Sequence, residues 1–384
     1  MKKVLYGTTA LIAAGAFAAT ASAEPIELSI GGKQEMYFLA GDSNDNNGET
    51  WASTGMYTDT ELYFTGQTTL DNGITVQAII QLEAEDRMDR NADEQAIILS
   101  GGFGAMQIGQ RQSYVGMMQY VGPSVGGPFG ANEIRDWNWA NFTNASSSQH
   151  FNYYTDDDLS VSYVTPSFFG FTLAGAYAPD SSNNDDSVFE EWNTTGSSYK
   201  DLLQVGAAFD NEFSGVGIHA DVTYQYFFGA AQSETLIDLT AGQVTDLATQ
   251  LGVADPGQAI EVTATANNPD RSLLRGGLSV SYMGFEVGGS YGQWNFENTN
   301  DSVDSWSAGA SYSNGPYAVA FEYYGSSEDI GANTDAHSFA FSGRYILGPG
   351  INLGAAVFHG DEELDGNNND RETTGVVLGI GLAF

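Results

Sequence analysis

The chain has 384 residues, with 49 Asp and Glu against 12 Lys and Arg, a formal charge of −37, 22 Phe, 20 Tyr, 6 Trp, 47 Gly and no Cys. Recognition of a phosphate backbone needs clustered Lys and Arg, so nucleic acid is excluded as a partner, and without cysteines neither a disulfide scaffold nor a thiolate zinc site is available. Disorder, which the charge alone would suggest, conflicts with so many aromatic residues set in patterned segments.

Met1-Lys2-Lys3 is a short basic start, Val4 to Ala19 is mostly apolar, and Ala21-Ser22-Ala23 has the small-x-small spacing of a cleavage site before Glu24-Pro25. Residues 1–23 therefore read as a secretory signal peptide of bacterial type, the apolar core being short of the ~20 residues of a helical span. Its removal takes away Lys2 and Lys3 and no acid, which makes the mature charge −39. No later apolar run has the length of a transmembrane helix. Two alternatives remain: an exported soluble β-rich binding or adhesion protein, and a membrane β-barrel.

From Glu27 onward the apolar residues recur with period two, the mark of strands with one apolar face. In 27–40, Leu28, Ile30, Met36 and Phe38 share one face, and Glu27, Lys33, Glu35 and Tyr37 the other. Ile74, Val76, Ala78, Ile80 and Leu82 alternate with polar residues in the same way, while Ile97, Ile98 and Leu99 break the phase. Near the end Val376, Leu378, Ile380, Leu382 and Phe384 oppose Gly375, Gly379 and Gly381. Strands are expected near 26–40, 57–70, 74–85, 94–101, 103–111, 158–165, 171–178, 201–209, 217–228, 272–282, 285–294, 303–313, 316–324, 336–347, 351–359 and 372–384, sixteen in all.

The connections carry more information than any single strand. Asp71-Asn72-Gly73, Gly101-Gly102, Pro166–Gly170, Asp210–Val216, Met283-Gly284, Asn314-Gly315 and Gly348-Pro349-Gly350 are short and turn-like. Between them fall long polar segments at 41–56, 86–93, 112–157, 179–200, 229–271, 295–302, 325–335 and 360–371. Short and long alternate strictly, as they do when all tight turns lie at one end of a barrel and all long loops at the other. A soluble sandwich has no reason to sort its loops by parity. Aromatic residues agree: Tyr282, Tyr312, Tyr317, Tyr345 and Phe384 fall beside short turns, and Tyr226, Tyr291 and Tyr323 toward long loops, as two interfacial belts would. The expected fold is an all-β, sixteen-stranded antiparallel transmembrane barrel over residues 24–384.

Three stretches carry a resemblance. Phe103-Gly104-Ala105-Met106-Gln107-Ile108-Gly109-Gln110-Arg111 is similar to the strand that leads into the long third loop of the Gram-negative general porins. Leu159 to Phe171, with Tyr163-Val164-Thr165-Pro166-Ser167-Phe168-Phe169-Gly170, looks like the strand, periplasmic turn and strand that follow that loop. Phe384, Leu382 and Gly379 have the spacing of the outer-membrane assembly signal, though Val377 stands where a polar residue is common. Gln110 also stands where such porins often carry Arg. In order and spacing the chain resembles the trimeric, sixteen-stranded α-proteobacterial porins. The resemblance implies a homotrimeric outer-membrane channel for passive diffusion of small hydrophilic solutes and ions, not an enzyme and without a cofactor, set among outer-membrane lipid and lipopolysaccharide.

It also implies that residues 112–157 fold into the lumen as a constriction loop. Glu133 and Asp136 are the expected acidic side of that constriction, with Arg135 and Arg111 nearby. Arg111, Arg275 and Arg344 share the polar phase of their strands and are expected as a basic side. On the first three strands the same phase carries Glu27, Glu35, Asp59, Glu61, Glu83 and Glu85 against Lys33. The acids outnumber the bases, so a preference for cations is expected.

Three weaker signals remain. Asp361-x-Glu363-x-Asp365-Gly366, with Glu372, falls on the spacing of a calcium loop, set here between strands. A solvated acidic hairpin and a calcium site that could bridge to lipopolysaccharide phosphates are the two readings. A hydrolase needs a Ser–His pair held by a third group. His150, His219, His337 and His359 are scattered among many serines. Val244, Leu247 and Leu251 suggest a short helix in the fifth long connection, and Asn141-Phe142-Thr143 is a formal glycosylation sequon.

Overall fold

The computed structural model describes residues 25–45, 54–84, 92–126, 129–131, 159–180, 199–229, 231–239, 260–267, 270–297, 301–330, 332–364 and 370–384. In chain order the strands are β1 Glu27–Asp45, β2 Thr54–Thr69, β3 Thr75–Glu83, β4 Ala92–Gly101, β5 Gly104–Gln110, β6 Leu159–Val164, β7 Phe171–Asp180, β8 Tyr199–Phe213 and β9 Val216–Gly229. There follow β10 Ala231–Leu239, β11 Ile260–Asn267, β12 Arg271–Tyr282, β13 Phe285–Phe296, β14 Ser302–Asn314, β15 Tyr317–Ile330, β16 Ala332–Gly348, β17 Ile351–Leu364 and β18 Arg371–Ala383. One helical turn, α1 (Tyr114–Met117), precedes β6.

Sixteen of these strands close an antiparallel barrel in chain order, β18 pairing back onto β1, while β10 and β11 form a separate two-stranded sheet. Closure removes the free edge that an open sheet would present to lipid, and every strand backbone is satisfied by a neighbour. Each expected strand is present. The hairpin β10–β11 is the addition: it occupies the fifth long connection, and β9 pairs directly with β12 beneath it. The helix expected near Val244–Leu251 lies outside the described residues, as does the signal segment 1–23.

Several strands also run four to six residues past their expected ends on the long-connection side: β1 to Asp45, β15 to Ile330, β16 from Ala332 and β17 to Leu364. The apolar alternation stops where the lipid band stops, but ladder hydrogen bonding needs no apolar face and continues into the polar zone. At the other end the turn expected over Asp210–Val216 is tighter: Ser214-Gly215 alone joins β8 to β9, with φ of 52° and 86°, while Met283-Gly284 joins β12 to β13 as expected, with 50° and 89°. Two consecutive positive φ values are what a two-residue type I′ turn demands.

The burial pattern is the reverse of a soluble domain. Gln107, Gln204, Gln225 and Ser305 are almost fully buried, whereas Leu28, Leu278, Val287 and Leu378 are more than half exposed. Alternation therefore gives one polar phase enclosed by the barrel and one apolar phase presented to lipid. At the short-turn end the apolar phase carries neighbouring aromatic rings, Tyr317 against Tyr345 at 5.0 Å and Phe285 against Tyr312 at 4.4 Å. The irregular run in β4 resolves in the same way: Ile97 is on the exposed phase and Ile98 on the buried one.

Candidate permeation path

After β5 the chain leaves the wall, and its described part, residues 112–126 and 129–131, makes its side-chain contacts with the polar phase of the strands. Ser113 caps α1 by accepting the Gly116 N–H at 3.1 Å, and its hydroxyl donates to Gln204 on β8 at 2.6 Å. Gln119 donates to Thr223 on β9 at 2.9 Å. The Val121 carbonyl accepts from Ser290 on β13 at 3.0 Å and from Ser307 on β14. The Ala131 N–H donates to Glu322 on β15 at 3.2 Å, and its carbonyl accepts from Ser338 on β16 at 2.8 Å. Each strand in turn supplies a partner, so the segment follows the wall from β8 to β16.

The segment ends in an apolar socket. Val125, Phe129 and Ala131 pack with Tyr37, Ala318, Ala320, Ala340, Ala356, Phe358 and Val377. The Phe129 ring stands edge-on to Tyr37 at 5.5 Å; a Cβ on Gly354 would overlap Phe129, and one on Gly379 would overlap Tyr37 and crowd Phe129. Small residues on the polar phase of β15–β18 thus make room for the segment. That was the missed signal: Ala318, Ala320, Ala340, Gly354, Ala356 and Gly379 keep one phase small where the other strands carry long polar side chains.

Strands β1 to β4 have a different polar phase. Lys33 Nζ lies 2.8 Å from Asp59 Oδ2 and 2.8 Å from Glu61 Oε1. Register sets Glu35 directly opposite Asp59 and Glu61 directly opposite Glu83. The carboxylates of Asp59, Glu61 and Glu83 come within 4.8 Å of one another. Arg111 is engaged on this side, its Nε 3.0 Å from Glu94 and its Nη1 donating to Gln107 at 3.1 Å.

The other expected basic residues take a different place. Arg275 was expected to face loop acids across water. Its side chain is instead fully buried beneath the segment, donating to the Tyr120 carbonyl. Arg344 also lies under the segment, 3.2 Å from where a Cβ on Gly126 would stand. Membership of the polar phase is correct for both, but the segment covers them. Glu133, Arg135 and Asp136 lie outside the described residues, as do Glu85 and Asp365. Glu27 is exposed near the short-turn end.

Tyr120 sits at the middle of the segment. Its hydroxyl donates to Glu286 at 2.8 Å, and burial, then the Glu286 charge, pushes that phenol above the ordinary tyrosine range. It therefore remains a donor at neutral pH.

The calcium-like spacing does not form a wrapped loop. Asp361 and Glu363 are in β17 and Glu372 is in β18, with Asp361 directly opposite Glu372 in register. All three fall on the apolar phase of the wall at its long-connection end, where His359 Nε2 lies 3.7 Å from Asp361. Extended ladders hold these carboxylates side by side instead of curling them around a central point, which twelve-residue calcium loops require. His219 lies 3.2 Å from Asp221, and His337 bonds Tyr323 on the lipid phase at 2.9 Å.

A family model described as Gram-negative porin matches residues 7–366. Among solved structures the chain is similar to an anion-selective porin from Comamonas acidovorans, with a TM-score of 0.59, 16% identity, and 94% of this chain covering 100% of that one. The trimer form of OmpT, an outer membrane protein of Vibrio cholerae, gives a TM-score of 0.57 at 12% identity, covering 94% and 100%. A porin refined at 1.8 Å resolution gives 0.52 at 16% identity, covering 93% and 100%. At such identities these likenesses establish the fold. No curated protein sequence matches significantly.

Proposed function

The chain belongs to the Gram-negative porin family, whose members form outer-membrane channels, and from that premise we propose a water-filled path for small hydrophilic solutes that passes cations in preference to anions. A barrel of sixteen strands is too wide for its own side chains to fill. In this reading the segment 112–131 lies in the lumen and narrows it, and the acidic phase of β1 to β4 forms the facing side of the narrow part.

The observation that carries the charge preference is the imbalance on that side. Glu35, Asp59, Glu61 and Glu83 stand together with Lys33 as their near cation. Their summed field enriches cations and repels anions, most strongly where the low-dielectric wall focuses it. The related porin from Comamonas acidovorans is described as anion-selective. Fold likeness does not transfer that sign, which depends on side chains. Reversal potentials across planar bilayers in a potassium chloride gradient test the proposal, and an anion-selective sign sinks it.

The remaining parts of the reading are also proposals. Residues 1–23 are removed on export, so the mature chain begins at Glu24, which its intact mass would reveal. Three copies assemble, as one Vibrio cholerae relative is described. No site is assigned to chemistry on a solute, and passage needs none. The outward acids Asp361, Glu363 and Glu372 share divalent cations with lipopolysaccharide phosphates; unchanged thermal stability after chelation and calcium re-addition would count against this.

A further inference from the structure

The Arg275–Asp221 pair lies beneath Tyr120, where solutes do not reach it, and both side chains are 0% exposed. Asp221 Oδ2 accepts the Tyr120 N–H at 3.0 Å, and Arg275 donates to the Tyr120 carbonyl. The guanidinium and carboxylate themselves are 3.9 Å apart, so each spends its best hydrogen bond on the segment instead of on the other. One residue of the chain is thereby held at both ends of its backbone by opposite charges from the neighbouring strands β9 and β12.

The wall is shaped to receive it. A Cβ at Gly277 would overlap Asp221 and the Tyr120 backbone, and one at Gly288 would meet the Tyr120 hydroxyl. The His219 ring lies 5.5 Å from the Tyr120 ring. Its two nitrogens reach Asp210 at 2.7 Å and Asp221 at 3.2 Å. Burial of an ion pair is a poor way to add stability, because desolvation consumes most of the attraction. Such a pair is better explained by what it positions.

We propose that Arg275 and Asp221 are positioning residues that clamp the Tyr120 backbone to the wall and so keep the path open. The inference rests on the reading of residues 112–126 and 129–131 as a segment within the lumen. Because the segment already touches the wall, release can only move it toward the axis. Loss of the clamp therefore closes the path part of the time instead of widening it.

The test is single-channel recording of Arg275→Met/Asp221→Asn, a double variant that removes both buried charges and leaves neither uncompensated. The expected result is an unchanged open level with closed-state occupancy raised about tenfold, the weight of one lost charge-assisted hydrogen bond. Tyr120→Phe keeps the backbone clamp and loses only the Glu286 contact, so its closures should rise far less than those of the double variant. If the double variant does not assemble, Arg275→Lys carries the same test, since it keeps the charge but its shorter side chain does not reach the position from which Arg275 Nη2 donates to the Tyr120 carbonyl. Closures at the wild-type frequency in the assembled double variant, or in Arg275→Lys if that is the form available, overturn the clamp. So does Tyr120→Phe closing as often as the double variant. A wild-type protein that conducts nothing overturns the channel reading itself, and the clamp with it.

Discussion

Along β8 to β16 Asp221, Arg275, Glu286 and Glu322 are each matched to a group on the segment, whereas along β1 to β4 acids of the polar phase are gathered and outnumber the bases. On the first side Asp221 meets Tyr120 and Arg275, Glu286 meets the Tyr120 hydroxyl, and Glu322 meets the Ala131 backbone. On the second, Glu35 faces Asp59 and Glu61 faces Glu83. Like charges directly opposite on a ladder are destabilising by roughly 0.2–1 kcal/mol each. A wall built only for stability would avoid them. In the proposed channel the covered half would then be a mount for the segment, and the acidic half the surface that solutes meet.

The largest expected effect breaks the mount. Phe129→Ala empties the socket over Gly354 and Gly379 and should cost about 3–5 kcal/mol, the usual range for losing a buried Phe. It would appear as a lower temperature for the heat-induced gel-mobility change. A second effect bears on the bare side alone. Asp59→Asn with Glu83→Gln should reduce the cation-to-anion permeability ratio several-fold, by removing two charges from the field at the narrow part. Glu322→Gln, on the covered side, should leave that ratio where it was. If both sides shift selectivity equally, the division between them is wrong.

Smaller changes sharpen the comparison. Lys33→Met removes the cation between Asp59 and Glu61, and should raise the cation preference while lowering stability, since it strands carboxylates that Lys33 now offsets. The smallest effect belongs to Asp361→Asn with Glu363→Gln. These residues lie on the lipid phase, so reversal potentials should not move, and a clear shift would mean that they face the path.

The sequence made the barrel legible because its alternation and the parity of its connections are both geometric requirements of a closed antiparallel wall. The phase of Arg275 was legible too, but not its role. Period two separates the two phases and carries no mark of which part of the polar phase a distant segment covers. The small residues Gly354, Ala356 and Gly379 were that mark, visible only when strands are compared with one another. The β10–β11 hairpin escaped for a different reason: Ile260, Val262, Ala264 and Ala266 do alternate with polar residues, but they lie inside a segment whose length marks it as a connection. The acids of β1 to β3 were legible residue by residue, because phase and register alone bring them together.

In the proposed channel the acidic side of β1 to β4 sets the sign of selectivity. Reversal potentials of the wild type and of Asp59→Asn/Glu83→Gln, each at about 0.1 M and about 1 M salt, test it most directly, because the screening length falls from about 10 Å to about 3 Å between those conditions. The account predicts a cation-selective wild type whose preference weakens with salt, and a variant with little preference at either concentration. An anion-selective wild type, or a variant as cation-selective as the wild type, would contradict it.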